Sequence, residues 1–235
     1  MIPKIIHYCW FGRKEKPRDV LEYIETWKKH LPDFQIKEWN EDNFNINQFE
    51  YTKEAYYAKK YAFVSDVARL YALINEGGIY LDTDVKFLKT LPESILESKG
   101  FVGFENNKNI GTAVMATEPH HPIFVEFFNI YKDIHFFNGT KFDLCPNVNR
   151  LTKILENKGL QRDNSYQCID DISIFPQVCF SAKMYCSGEY YNTDETYAIH
   201  DFKATWTNNE KKYTKKIISA INVLITIVLY KLNQI

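Results

Sequence analysis

Ser65-Asp-Val-Ala-Arg-Leu-Tyr-Ala-Leu-Ile-Asn-Glu-Gly-Gly-Ile-Tyr-Leu-Asp-Thr-Asp-Val85 decides how this chain folds and what chemistry it carries. Helical spacing of Ala58, Ala62, Leu70, Leu73 and Ile74 implies an amphipathic helix from Glu54 to Glu76, with a break near Ser65-Asp66. Gly77-Gly78 supplies the positive-φ stop. Ile79-Tyr80-Leu81 is then short, apolar and β-prone, as a buried parallel strand is. In an extended strand, side chains two apart face the same side, so Asp82 and Asp84 present oxygens together. Such a pair suits a hard divalent cation, Mg²⁺ or Mn²⁺, able to neutralise a departing diphosphate. A bare Asp-x-Asp is more often two aspartates in a surface turn; the flanking pattern favours an enzyme acting on a phosphorylated donor. Asp66 and Arg69, three apart, share a helical face. One reading puts Asp66 on a sugar hydroxyl and Arg69 on a phosphate oxygen. The other makes Asp66 a helix cap and Arg69 a paired or solvated charge.

The run from Ser65 to Val85 resembles the Asp-x-Asp sugar-binding region of family 32 glycosyltransferases, capsular-polysaccharide and mannosyltransferase-type enzymes distantly similar to the glucosylating clostridial toxins. Two more blocks agree, in the right order. Ile2-Pro-Lys-Ile-Ile-His-Tyr-Cys-Trp-Phe-Gly12 resembles the family's opening strand, and His200-Asp-Phe-Lys-Ala-Thr-Trp206 its closing motif. The resemblance implies a GT-A-type nucleotide-diphospho-sugar transferase fold, α/β, a single domain over 1–208 with a mixed, mostly parallel central sheet. It also implies a metal-dependent hexosyltransferase, retaining, that uses a UDP-sugar and a glycan or lipid-linked acceptor in capsular or surface polysaccharide synthesis. By carry-over, Trp10 stacks on the base, Asp66 anchors the donor sugar, and Trp206 closes over the diphosphate on a mobile loop. Asp82, Asp84 and His200 hold Mn²⁺ or Mg²⁺, Arg69 and His200 assist the leaving group, and the segment Glu105–Thr112 lines the sugar pocket. Core packing competes for Trp10 and Trp206, and a structural role for His200. His7 reads as a core histidine.

Elsewhere, Val20–Leu31 reads as a helix stopped by Pro32, and Gln35–Trp39 as a strand. Phe101–Phe104 and Gly111–Ala116 follow as strands, then a helix from Pro122 to about Tyr131 and another around Val148–Leu155, ended by Gly159. Gln167–Phe175 is strand-like up to Pro176. Strands alternating with helices imply an α/β sheet whose ligands sit at the carboxyl ends of the strands.

The 235 residues suffice for one domain with a real core. Aromatics make up 16%, compatible with a sugar-stacking cleft and equally with a large core. A net charge of −1 gives no basic surface of the kind nucleic acid requires. Five cysteines without Cys-x-x-Cys spacing fit free thiols in a reducing compartment. No signal peptide is recognisable, so the reading is a cytoplasmic protein, peripheral on the inner face of the cell membrane if its tail binds there. That tail, 209–235, reads as a basic and apolar C-terminal helix: Ile217–Tyr230 is mostly apolar and flanked by lysines. It is short of the ~20 residues that span a bilayer. An anionic membrane surface and packing on protein both remain open.

Two other classes compete. An apolar strand followed by Asp-x-Asp also opens haloacid-dehalogenase-like phosphatases. Those carry the motif near the start and need a later Gly-Asp-x-x-x-Asp, which Asp170-Asp171 does not match. A non-catalytic carbohydrate-binding subunit is the other.

Overall fold

The computed structural model describes residues 1–139, 141–184 and 187–203. Trp206 and the 209–235 segment lie outside them. In chain order the elements are β1 (Ile5–Cys9), α1 (Arg18–His30), β2 (Gln35–Trp39), α2 (Glu50–Tyr57), α3 (Tyr61–Glu76), β3 (Gly78–Leu81), β4 (Val85–Phe87) and α4 (Glu93–Leu96). There follow β5 (Gly100–Phe104), β6 (Ile110–Thr117), α5 (Pro122–Asn129), α6 (Asn147–Asn157), β7 (Gln167–Ile169), β8 (Ile172–Phe175), α7 (Gln177–Phe180) and β9 (Ala198–His200).

Seven strands form one sheet in the order β2-β1-β3-β6-β5-β8-β7. β6 pairs antiparallel with both β3 and β5, and β7 antiparallel with β8, while the other pairings are parallel. All strands but β6 and β7 therefore run the same way, as expected for a mixed, mostly parallel sheet. Period-2 alternation sends neighbouring side chains of β3 to opposite faces. Tyr80 joins the apolar layer of α2, α3, α5 and α6, whereas Ile79 and Leu81 join the layer containing Val20, Ile24 and Trp27 of α1. Each Phe buried completely in these layers contributes about 1.5–3 kcal/mol.

The helix before the sheet strand breaks earlier than the sequence suggests. Lys59, at φ 57°, separates α2 from α3, and the Lys60 N–H folds back to the Ala55 carbonyl at 2.9 Å. Ser65 breaks nothing; its hydroxyl donates to the Tyr61 carbonyl at 3.1 Å within α3. Gln167–Phe175 is likewise not one strand but a tight hairpin. Ile169 pairs with Ile172 across Asp170 and Asp171, at φ 46° and 68°, the left-handed pair that two-residue hairpins require and that Asp tolerates.

Gly77 and Gly78 end α3 and start β3 with φ of 64° and 93°. A Cβ on Gly78 would sit 2.5 Å from the Ile5 carbonyl oxygen, so the β1–β3 pairing needs glycine there. His7, fully buried, ties this corner together. The Trp39 indole donates to its Nδ1 at 3.0 Å, so Nε2 carries the proton and donates to the Gly77 carbonyl at 2.8 Å. Burial holds its pKa below the ordinary histidine value. It is the core histidine the sequence suggests.

Candidate active site

The apolar strand β3 stops at Leu81, and the Asp82 N–H makes one more bond to β6, to the Ala113 carbonyl at 2.8 Å. The chain then turns: the Val85 N–H bonds the Asp82 carbonyl at 3.0 Å. Asp82 and Asp84 thus meet through a turn at the strand end, not through strand alternation. The turn leads into β4, which pairs with β9 so that Val85 lies opposite His200. The Trp27 indole anchors the far side, donating to the Val85 carbonyl at 2.8 Å.

This pairing brings one ligand atom each of Asp82, Asp84 and His200 within 4.8 Å of one another. His200 Nε2 stands 3.4 Å from Asp84 Oδ1, and the Lys203 N–H donates to Asp84 Oδ2 at 2.9 Å. Burial opposes charge on both side chains, but the pairing outweighs it: the imidazole pKa moves up and the carboxyl pKa down. Among the described residues His200 Nδ1 is buried without a hydrogen-bond partner. Two carboxylates and an imidazole form an oxygen-rich donor set that fits Mn²⁺, with Mg²⁺ the alternative if water replaces nitrogen.

Arg69 lies behind this cluster, 5% exposed. Its Nη2 contacts Asp66 Oδ1 at 3.1 Å and Asp82 Oδ1 at 3.2 Å. Nη1 donates to the Thr112 carbonyl at 2.8 Å, Nε to the Ser65 carbonyl at 3.2 Å, and the guanidinium covers the Tyr80 ring at 4.5 Å. A buried cation needs such compensation. The guanidinium therefore grips Asp82 from beneath rather than standing open for a phosphate oxygen. Tyr80 adds a second hold, its hydroxyl donating to Asp82 Oδ1 at 2.8 Å.

Asp66 sits inside α3, which starts at Tyr61, so it caps no helix. Its Oδ1 accepts from Asn147 Nδ2 at 2.7 Å, and Asn147 Oδ1 accepts from the Thr112 hydroxyl at 2.8 Å. Burial raises its pKa to about 6 despite Arg69. Trp10, half-buried, follows β1 at the same edge of the sheet, its indole N–H on the Lys14 carbonyl at 2.6 Å. Asn147 and Tyr80 carried no role in the sequence reading, because only the fold sets them against Asp66 and Asp82.

Glu105 opens the segment 105–112 that the family resemblance puts at the sugar pocket. It follows β5, half-buried, and faces the charges of His200, Asp82 and Asp84; burial raises its pKa. Asn106, in the segment expected to line a sugar pocket, instead closes its own loop, accepting from the N–H groups of Lys108 and Asn109 at 2.9 Å each. Asp170 and Asp171 lie in the β7–β8 turn, just before Ile172, which pairs with the start of β5. That is the edge of the sheet opposite Asp82, so they cannot complete a phosphatase site.

Residues 17–102 match the model of the glycosyltransferase sugar-binding region containing a DXD motif, a span that includes Asp66, Arg69, Asp82 and Asp84. An uncharacterized glycosyltransferase, L373, of Acanthamoeba polyphaga mimivirus is 34% identical over 142 residues, 54% of this chain and 55% of its own length. Inositol phosphoceramide mannosyltransferase 3 of Schizosaccharomyces pombe (strain 972 / ATCC 24843) is 28% identical over 131 residues, 53% of this chain and 36% of its own. The chain thus spans about half the length of the first of these relatives and less of the second. Among solved structures the PaToxG glycosyltransferase superposes with a TM-score of 0.51 at 21% identity, over 67% of this chain and 69% of that one. The fold is the GT-A-type glycosyltransferase fold, and its DXD is Asp82-Thr83-Asp84.

Proposed function

We propose that this protein is a metal-dependent hexosyltransferase. It moves a sugar from a nucleotide-diphosphate donor, UDP-linked, to a glycan or lipid-linked acceptor in surface polysaccharide assembly, with retention of configuration. The convergence of Asp82, Asp84 and His200 within 4.8 Å, at the strand edge that also bears Trp10, carries this reading. The DXD region supports the class of reaction. The name of the fission-yeast relative supports a lipid-borne acceptor and makes mannose a candidate sugar.

Trp10 takes the base, and stacking on such a ring is worth about 1–3 kcal/mol in nucleic-acid systems. Asp82, Asp84 and His200 hold Mn²⁺ or Mg²⁺, which when bound neutralises charge on the leaving diphosphate. Arg69 and Tyr80 hold the Asp82 carboxylate in place, so Arg69 assists the leaving group through that carboxylate. Asp66, fixed by Asn147, anchors the donor sugar, and Trp206 closes over the phosphates and excludes water. Retention follows from displacement on one face of the sugar. Among the described residues no helix is long and apolar enough to cross a membrane. The tail at 209–235 would serve a lipid-linked acceptor by holding the protein on the inner face of the membrane.

Calorimetric titration with UDP, with and without Mn²⁺, on wild type and Asp84→Asn tests the reading. Wild type is expected to bind UDP only with the metal, and the folded variant to lose that binding. Wild-type-like binding by folded Asp84→Asn would overturn the metal site.

A further inference from the structure

β6 runs against β3 and ends where Thr117 pairs with Gly78, at the amino edge of the sheet. α5 then carries the chain back along α3. The His120 N–H bonds the Ile74 carbonyl at 2.9 Å near the end of α3, and Phe136 meets Phe63 near its start, ring centres 5.0 Å apart. The segment after α5 therefore reaches the carboxyl edge, where the aspartates lie. There Phe137 pairs with Phe142 across a turn that the Asn138 N–H closes on the Lys141 carbonyl at 3.1 Å. This small hairpin borders an open groove of about 720 Å³. We propose that the groove binds the acceptor glycan, a sugar ring lying against Phe137 and Phe142 and the glycan's end reaching the donor site beside Asn147.

The lining has the chemistry of a sugar site. Phe137 and Phe142 are half-buried and Leu144 is 54% exposed, which offers apolar surface to the C–H face of a pyranose. His135, Asn138 and Lys141 stand among them and supply polar groups for its hydroxyls. A lipid tail would strip water from those polar groups and give no hydrogen bond in return, so the lining favours a glycan. The hairpin is also held in shape from beneath. Glu54 of α2, 7% exposed, accepts from the Phe137 N–H at 2.9 Å and meets His135 Nδ1 at 2.9 Å. The Asp143 N–H bonds the Phe136 carbonyl at 2.7 Å, and its carboxylate pairs with Arg150 of α6. A groove shaped in advance lowers the ordering cost of binding. Its position completes the case. Leu144 stands three residues before Asn147, about 11 Å of chain at full stretch. Asn147 Nδ2 donates to Asp66 Oδ1 at 2.7 Å, Asp66 lies 3.1 Å from Arg69, and Arg69 lies 3.2 Å from Asp82.

The inference rests on the donor-site reading, and the test separates the two. Wild type, Phe137→Ala and Leu144→Ser are titrated with Mn²⁺ plus UDP or GDP, with folding checked by circular dichroism. Wild type, loaded with Mn²⁺ and the diphosphate it binds, is then applied to an array of mono- and oligosaccharides. Glycans it retains are titrated against all three proteins. Wild type is expected to retain at least one glycan. Both variants should keep diphosphate binding within about twofold and bind that glycan about fivefold or more weakly. Leu144 is exposed, so its variant decides the matter if Phe137→Ala fails to fold. Unchanged glycan binding in the folded variants would overturn the proposal, and so would a wild type that binds diphosphate but no glycan on the array. Parallel loss of diphosphate and glycan binding would make the hairpin a support for the fold and overturn it too. If wild type binds neither UDP nor GDP with metal, the donor-site reading itself falls, and this inference with it.

Discussion

Arg69 shows at the scale of one side chain how the site is built from beneath. Its contacts to Asp66 and Asp82 tie the helix α3 to the strand end, and the desolvation of the cation is offset by two carboxylates and two carbonyls. Asp66 bears the cost: burial lifts its pKa to about 6, above the ordinary aspartate value. The folded state therefore binds a proton that the unfolded chain has already released between about pH 4 and 6. Stability from this group is fully present below about pH 4 and is lost as the pH rises through about 6. Asp66→Asn, neutral and of the same shape, escapes that loss. Melting temperatures at pH 4, 5, 6 and 7 should show the variant gaining on wild type across this window; a flat difference would refute the raised pKa. Among individual residues, Asp82, Asp84, His200 and Trp10 stand in recognisable local patterns. Glu105 carries no local pattern of its own: as a lone acid after a strand it is marked only by the family resemblance of its segment.

Among the elements, the corner between α3 and β3 sets the geometry most tightly. Gly78, at φ 93° with the Ile5 carbonyl where a Cβ would go, lets β3 approach β1. Gly78→Ala combines backbone strain with a clash against main chain and is expected to cost about 1–3 kcal/mol. For a domain of this size each kcal/mol lowers the melting temperature by about 2–4 °C. Thermal unfolding followed by circular dichroism checks this, and a shift under 1 °C would contradict it. Gly-Gly after a helical pattern is a strong local signal, so this corner was legible. The turn at Asp82-Thr83-Asp84 was not, because its closure depends on β4 leaving to pair with β9, where Val85 meets His200, 115 positions along (200 − 85). The hairpin at Asp170-Asp171 escaped for another reason: two aspartates in left-handed backbone carry no glycine to announce the turn.

Across the whole molecule, the sheet separates a working edge from a structural one. Trp10, Asp82, Asp84 and Glu105 share the carboxyl edge, where GT-A-type and other α/β sheets place ligands. Asp171 lies at the other edge, ion-paired with Lys99 at 2.8 Å on the surface. Asp171→Asn should leave metal-dependent UDP binding and sugar-nucleotide hydrolysis within about twofold of wild type. A large loss of either would revive a phosphatase-like role for the Asp170-Asp171 pair. That comparison also separates effects of local charge from effects of the site, because both edges carry exposed acids.

The sequence by itself determined the helix, the glycine stop, the buried strand and the paired carboxylates, because each is encoded within a few consecutive residues by periodicity and backbone freedom. It also marked His200 and Trp10 as members of blocks at the two ends of the domain. Only the tertiary structure decided that a turn joins the aspartates to His200, that Arg69 and Tyr80 hold Asp82 from beneath, and that Glu105 overlooks the same edge. Those relations join residues tens of positions apart, and their energies come from burial and charge compensation that exist only once the sheet has formed.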